Sequence, residues 1–298
     1  MSDSQNATVL AELKLPAEPS LSRVPWPQIT LLAVVLALYA RVLIKLVHDW
    51  WTIPDFSHGF LVPLFSAYLL WSKRDKLKQL PIAPSWSGLG PILAALALLI
   101  VGSFGAELFL TRISLVVLLA GLTLLFYGWR YLRECAFAIG VLLLAIPIPA
   151  IIFNQITFPL QILASQLASN LLPLMNVPVL RDGNVIQLPA MPLEVAEACS
   201  GIRSLMSLGT LAIFYGYFLE KSNLRRVILA LLSIPIAVCA NALRIVGTGL
   251  CVQYWDPDKA LGFFHEFSGW VVFVFSLLLL YGVHRLMQLF HPHEVTPA

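Results

Sequence analysis

Eight apolar runs follow one another along the chain, at roughly 28–47, 59–72, 88–105, 113–129, 134–153, 201–219, 227–250 and 269–288. About 20 apolar residues in a helix cross the hydrocarbon core of a bilayer, whereas a barrel strand needs only about ten. Every backbone N–H and C=O in that core must be bonded internally, so runs of this length can only be helices. Composition agrees: 59% of residues are hydrophobic and 12% charged, against about 45–50% and about 25% in soluble domains. The expected fold class is an all-α polytopic membrane protein with about eight transmembrane helices. Residues 1–25 are polar, with prolines at 16, 19 and 25, and read as a disordered cytoplasmic N-terminus. No Ala-x-Ala cleavage site follows the first run, so that run stays as a helix. The transmembrane domain is expected over 26–290, with 291–298 a cytoplasmic tail.

Orientation follows from the loops. Lys73, Arg74, Lys76 and Lys78 follow the second run, Arg130 and Arg133 the fourth, and Lys221, Arg225 and Arg226 the sixth, while Arg285 ends the eighth. The intervening loops hold fewer cations: Arg112, Arg181 and Lys259. The positive-inside rule then places both termini in the cytoplasm. Arg41 and Lys45 lie in the outer half of the first run, where they must snorkel or face the bundle interior. The net charge of +3 is small, and the cations set topology rather than mark a nucleic-acid surface.

The segment 151–198 falls outside. Phe158 to Leu174 is interrupted by Pro159, Gln161, Gln166, Asn170 and Pro173, which suits an interfacial or re-entrant helix. Asp182-Gly183 between two apolar stretches reads as the turn of a small extracytoplasmic β-hairpin, leading towards Cys199.

The same face collects reactive side chains. Cys199 stands in Glu197-Ala-Cys199-Ser200-Gly201-Ile-Arg203-Ser, at the mouth of the sixth run. A thiol attacks as its thiolate, and a helix N-terminus supplies positive potential and free N–H groups for an oxyanion. Gly201 permits close approach of a substrate backbone. Arg203, one turn along, is a second cation near the thiol or a structural partner of Glu197. Arg244, in Asn241-Ala-Leu-Arg244, lies inside the seventh run and shares a face with Asn241. It can stabilise an oxyanion, grip a carboxylate, or close an ion pair with Glu197 or Glu194. His265, just before the last run in His265-Glu-Phe-Ser-Gly269, can take the thiol proton and return it to a leaving amine. His58, in Asp55-Phe-Ser-His58-Gly59, is a rival base on that face. His284, His291 and His293 fall on the cytoplasmic side and carry no chemistry in this reading. Cys135 and Cys239 read as packing residues, and a disulfide between Cys251 and Cys199 is the structural alternative to a free nucleophile.

In order, these four blocks resemble the signature of the exosortase/archaeosortase family, from about residue 30 to 289. The histidine points to the bacterial branch, and the length resembles the exosortase B type. The resemblance implies a multi-pass enzyme of the bacterial inner membrane with its active site on the periplasmic side. It implies a cysteine transpeptidase that needs no cofactor and acts on membrane-anchored proteins bearing a C-terminal sorting tail: a Pro-Glu-Pro motif, one membrane helix and a basic end. Cys199, Arg244 and His265 correspond to the family's catalytic residues. Arg203, Asn241, Glu197, Ser200, Gly201, His58 and Asp55 are expected to bind substrate or support the site. The alternatives from the residues alone are a transporter or flippase with an arginine-lined path, a metal-dependent protease on Cys199, His58 and His265, and an assembly scaffold. The protease reading lacks a His-Glu-x-x-His motif, and no internal repeat of the transporter type is visible.

Overall fold

Two prolines decide the most consequential bend in the chain. Ile146-Pro147-Ile148-Pro149 forces extended backbone before each proline and removes two N–H donors. Helix α6 (Trp129–Val141) and the 3₁₀ turn Leu142–Ala145 end there. Helix α7 (Ala150–Leu171) leaves with its axis turned by 78°. The run expected over 134–153 is therefore two helices meeting at a corner. The interfacial or re-entrant helix expected from Phe158 onward is the body of α7, which begins eight residues earlier.

The computed structural model describes residues 26–105, 107–195, 202–255 and 263–290. The expected disordered segment 1–25, the tail 291–298 and Cys199 lie outside these. The chain divides at Leu43/Ile44 into two units. The first comprises, in its described part, the leading portion of helix α1 (Trp26–Thr52). Arg41 and Lys45 are both exposed on α1.

After α1, a 3₁₀ turn (Pro54–Phe60) leads into α2 (Leu61–Ser72) and the short α3 (Arg74–Gln79). Helices α4 (Leu89–Phe104) and α5 (Leu108–Tyr127) follow. Beyond α7 come three short strands, then α8 (Ile202–Leu219), α9 (Asn223–Tyr254) and α10 (Phe263–Phe290). Among the described residues, six helices are long and apolar enough to cross a membrane, or seven segments if the bent α6–α7 pair is one crossing. The sequence reading of eight differs at two places. One is the α6–α7 corner. The other is α2, which at 1.5 Å per residue spans only about 18 Å and is too short to cross alone.

Helix starts also differ. The Glu107 side chain accepts from Phe109 N–H at 3.1 Å and caps α5, as an N-cap acceptor does. The helix thus begins five residues before the expected 113, and Arg112 is inside it rather than in a loop. Similarly α10 begins at Phe263, so His265 is in its first turn and not ahead of it.

The hairpin forms: β1 (Leu180–Asp182) pairs antiparallel with β2 (Val185–Gln187), Asp182 opposite Val185. Gly183, at φ 60°, occupies the first central turn position, where a type II′ turn requires left-handed backbone. A third strand, β3 (Pro192–Glu194), adds to β2 and was not expected. Ile186, Leu188, Leu193 and Val195 of this sheet pack with Ala164, Ala168 and Leu172 from α7 and its end and with Ile245 and Val246 of α9. The sheet is thereby fastened next to Arg244.

Two further cores hold the helices. Trp50, Phe56, Val62, Phe65, Ala138, Val141 and Phe214 join the end of α1 to α2, α6 and α8. Leu208, Ala212, Leu229, Ala237 and Leu280 join α8, α9 and α10. Lipid is as apolar as these side chains, so helix association rests on close packing and polar ties.

Candidate active site at the helix ends

The Pro54–Phe60 turn is anchored on three sides. Trp50 Nε1–H donates to the Ala145 carbonyl at 2.7 Å. A Cβ on Gly59 would fall 2.3 Å from Trp50 Nε1, so only glycine lets the turn lie against the indole. Asp55 Oδ1 accepts from Arg203 Nε–H at 3.1 Å. This bond joins residues 148 positions apart and brings the Asp55 block to the first turn of α8. Glu197, the partner the sequence offered for Arg203, lies outside the described residues. Arg203 is half-exposed at 51% and Asp55 more sheltered at 17%, so the pair contributes no more than about 1 kcal/mol to stability. Asp55→Asn is accordingly expected to leave the melting temperature within a few degrees of wild type. Processing of the sorting-tail substrate that the family resemblance implies should fall about fivefold, the equivalent of ~1 kcal/mol. Arg203→Gln should do the same and the double variant no worse; multiplicative losses, measured by cleavage rate, would show that the two residues act separately.

His58 is buried, and its Nε2 lies 3.1 Å from the Leu144 carbonyl. That contact makes Nε2 the protonated nitrogen of the neutral ring. Nδ1 has no hydrogen-bond partner among the described residues. Burial lowers the pKa of His58 below its ordinary value of 6.5, and the nearby backbone of Leu144 and Asp55 opposes the shift. Because the opened turn binds the proton more readily, this packing is fully stable above pH 6.5 and weakens as pH falls through the lowered value. Thermal melts in detergent are expected to show that decline, and His58→Gln to flatten it. Equal slopes in the two proteins would remove His58 as its source.

The second pair of blocks meets between α9 and α10. Arg244 Nε–H donates to Ser268 Oγ at 3.3 Å. Its guanidinium also lies 3.3 Å from where a Gly269 Cβ would stand. Asn241, one turn earlier on α9, is buried. Thus Asn241-Ala-Leu-Arg244 on α9 touches the His265-Glu-Phe-Ser268-Gly269 block on α10. The backbone of His265 is in the first turn of α10; its side chain is outside the description. Glu197, Cys199, Ser200 and Gly201 fall outside the described residues, between β3 and α8. Cys135, Cys239 and Cys251 are free thiols.

Sequence reasoning missed three polar contacts. Ser268 was unremarked within its block, yet it holds Arg244. Arg112, 3% exposed, donates to Asp49 Oδ2 and ties α5 to the end of α1; misplacing the start of α5 hid it. His284, read as inert, is 3% exposed and bonded to a fully buried Glu220. Its position within one apolar run, 64 residues from its partner, left no local pattern to find.

Together, the fold and these pairings define a multi-pass helical membrane protein that joins distant polar and charged side chains in pairs. The chain belongs to the transmembrane exosortase family: the family model, Transmembrane exosortase (Exosortase_EpsH), matches residues 50–282. That range takes in all four blocks. No curated protein and no solved structure matches the chain. Family membership makes this a membrane-embedded protein-sorting enzyme and sets aside the transporter and scaffold alternatives.

Proposed function

We propose that the protein is a cysteine transpeptidase that cleaves C-terminal sorting tails of the Pro-Glu-Pro type at the extracytoplasmic face of the bacterial inner membrane. The observation that carries this reading is the pairing of the signature blocks. Asp55 meets Arg203 four residues past Cys199, and Arg244 meets Ser268 three residues past His265. Blocks separated by 148 and 24 positions are adjacent in the fold, at the ends that the loop cations assign to the outer face.

In this mechanism the tail's own membrane helix delivers the scissile bond to the bilayer surface. Confinement there raises its effective concentration at the thiol. His265 takes the Cys199 proton, and the thiolate attacks the carbonyl carbon. The negative charge that develops on oxygen is held by Arg244 and by N–H groups at the start of α8. Collapse breaks the C–N bond, His265 protonates the leaving amine, and the tail departs from a thioester on Cys199. A second nucleophile, an acceptor amine, hydroxyl or water, releases the protein by attack on that thioester. Asp55 holds Arg203 beside the thiol, and Asn241 supports the α9 face that presents Arg244.

Co-expression with a sorting-tail substrate, followed by mass spectrometry of the intact enzyme, tests the reading. The expected species is an adduct on Cys199 equal to the substrate's N-terminal fragment, released by hydroxylamine. Full processing with no hydroxylamine-sensitive adduct would overturn it.

A further inference from the structure

The end of the bundle opposite the proposed site holds a buried polar chain to which the mechanism assigns no part. Glu220 directly follows α8, and its side chain is wholly buried. Its Oε1 lies 2.8 Å from His284 Nε2, and His284 Nδ1 lies 2.7 Å from the Tyr215 hydroxyl. The first turn of α9 contributes two arginines to the pair. Arg226 Nε–H donates to the Glu220 carbonyl at 2.8 Å, and Arg225 Nη1 stands 3.8 Å from Glu220 Oε2. A carboxylate in such a place is costly unless paired, and removing its partner costs far more than a surface pair would. Ionisable groups at membrane depth mark function more often than they mark stability.

The helices tied together here have a common property. Cys199 precedes α8, Arg244 is on α9, and His265 is in the first turn of α10. Tyr215 and Glu220 fix the far end of α8 to His284, near the far end of α10. Between that tie and the proposed site lies the apolar core of Leu208, Ala212, Leu229, Ala237 and Leu280. Lipid supplies no hydrophobic force between helices, so a directional polar tie adds to close packing in setting their register. A slip of one turn would move a helix end by about 5.4 Å, more than a proton transfer tolerates.

We propose that Glu220, His284 and Tyr215 are positioning residues, which align α8 with α10 so that Cys199 and His265 meet at the opposite face. This rests on the reading that those two residues act together. The three residues touch no substrate and act only through the helices they join.

The test uses the full-length protein in nanodiscs, at equal folded concentration by size-exclusion chromatography, in a background whose sole cysteine is Cys199. Glu220→Gln and His284→Gln are each expected to lower kcat about 10–100-fold, the scale of a roughly 1 Å misplacement, with KM changed less than about twofold. The double variant should be no worse than the worse single. Tyr215→Phe, which deletes one hydroxyl, should give a smaller loss of the same kind and serves if the other variants fail to fold. The second readout does not require turnover: the pH dependence of Cys199 alkylation by iodoacetamide. In wild type the paired thiol should react at lower pH than a free one, and in the variants the profile should move towards that of an ordinary thiol, near pH 8.5. A merely structural tie would reduce the yield of folded protein and move neither kcat nor this profile. Unchanged kcat and alkylation in folded variants, or losses that multiply in the double variant, would overturn the proposal. Cleavage that persists in Cys199→Ala would instead overturn the catalytic reading and, with it, the purpose assigned to the tie.

Discussion

Cys199→Ala is expected to abolish processing of a sorting-tail substrate, by roughly 10⁴-fold or more, while the protein still inserts and folds. The size follows from the role. A residue that forms the covalent intermediate has no substitute, and what remains without it is catalysis by binding and oxyanion contacts alone. Folding should survive because, among the described residues, extensive cores join the sheet to α7 and α9, and α8 to α9 and α10. Cys199→Ser separates nucleophile from shape. It keeps the size of the side chain but needs a stronger base, so it too should be inert near neutral pH. The measurement is single-turnover cleavage of purified substrate in nanodiscs, with folded enzyme counted by chromatography. Retention of even a tenth of the wild-type rate in Cys199→Ala would eliminate thiol catalysis.

Arg244→Gln is expected to reduce kcat by about 10²–10³-fold, the loss found when one preorganised oxyanion donor is removed, with little change in KM. Arg244→Lys is the informative companion. The lysine keeps the charge but has no Nε–H in the middle of a planar fork, so it cannot hold Ser268 and present further donors together. A Lys variant as poor as Gln would show that fork geometry matters, and one near wild type would reduce the role to charge. Ser268→Ala should fall between wild type and Arg244→Gln, since it frees the guanidinium to rotate without deleting it. If Arg244 instead grips a substrate carboxylate, KM will rise and kcat will hold. Steady-state kinetics on a substrate with its acidic residue amidated separates the two.

Much of the architecture was legible because hydropathy reports directly on the solvent a helix needs. The runs at 88–105, 201–219 and 227–250 correspond closely to α4, α8 and α9. The hairpin was visible in Asp182-Gly183, whereas the corner before α7 was missed because Pro147 and Pro149 sit inside a run read as one helix. What was not legible depended on partners. The end of α5 carrying Arg112 looked like a loop because a charge in a first turn is indistinguishable from one outside it until the Glu107 cap is seen. Strand β3 has three residues and no alternation of its own; it forms because β2 offers an edge. The site was legible as four blocks but not as two contacts, since nothing local in Asp55 or Arg203 records a bond across 148 positions. His284 was misread for the same reason: a histidine near a helix end is usually solvated, and only the buried Glu220 makes it otherwise.

The corner between α6 and α7 has a mechanical consequence. Neither helix passes alone as a crossing, and the pair is bent by 78°. The three-stranded sheet packs on α7 and α9, so any change in the bend would carry the sheet with it. Pro147 and Pro149 fix φ within the joint, which makes the corner a bracket rather than a hinge.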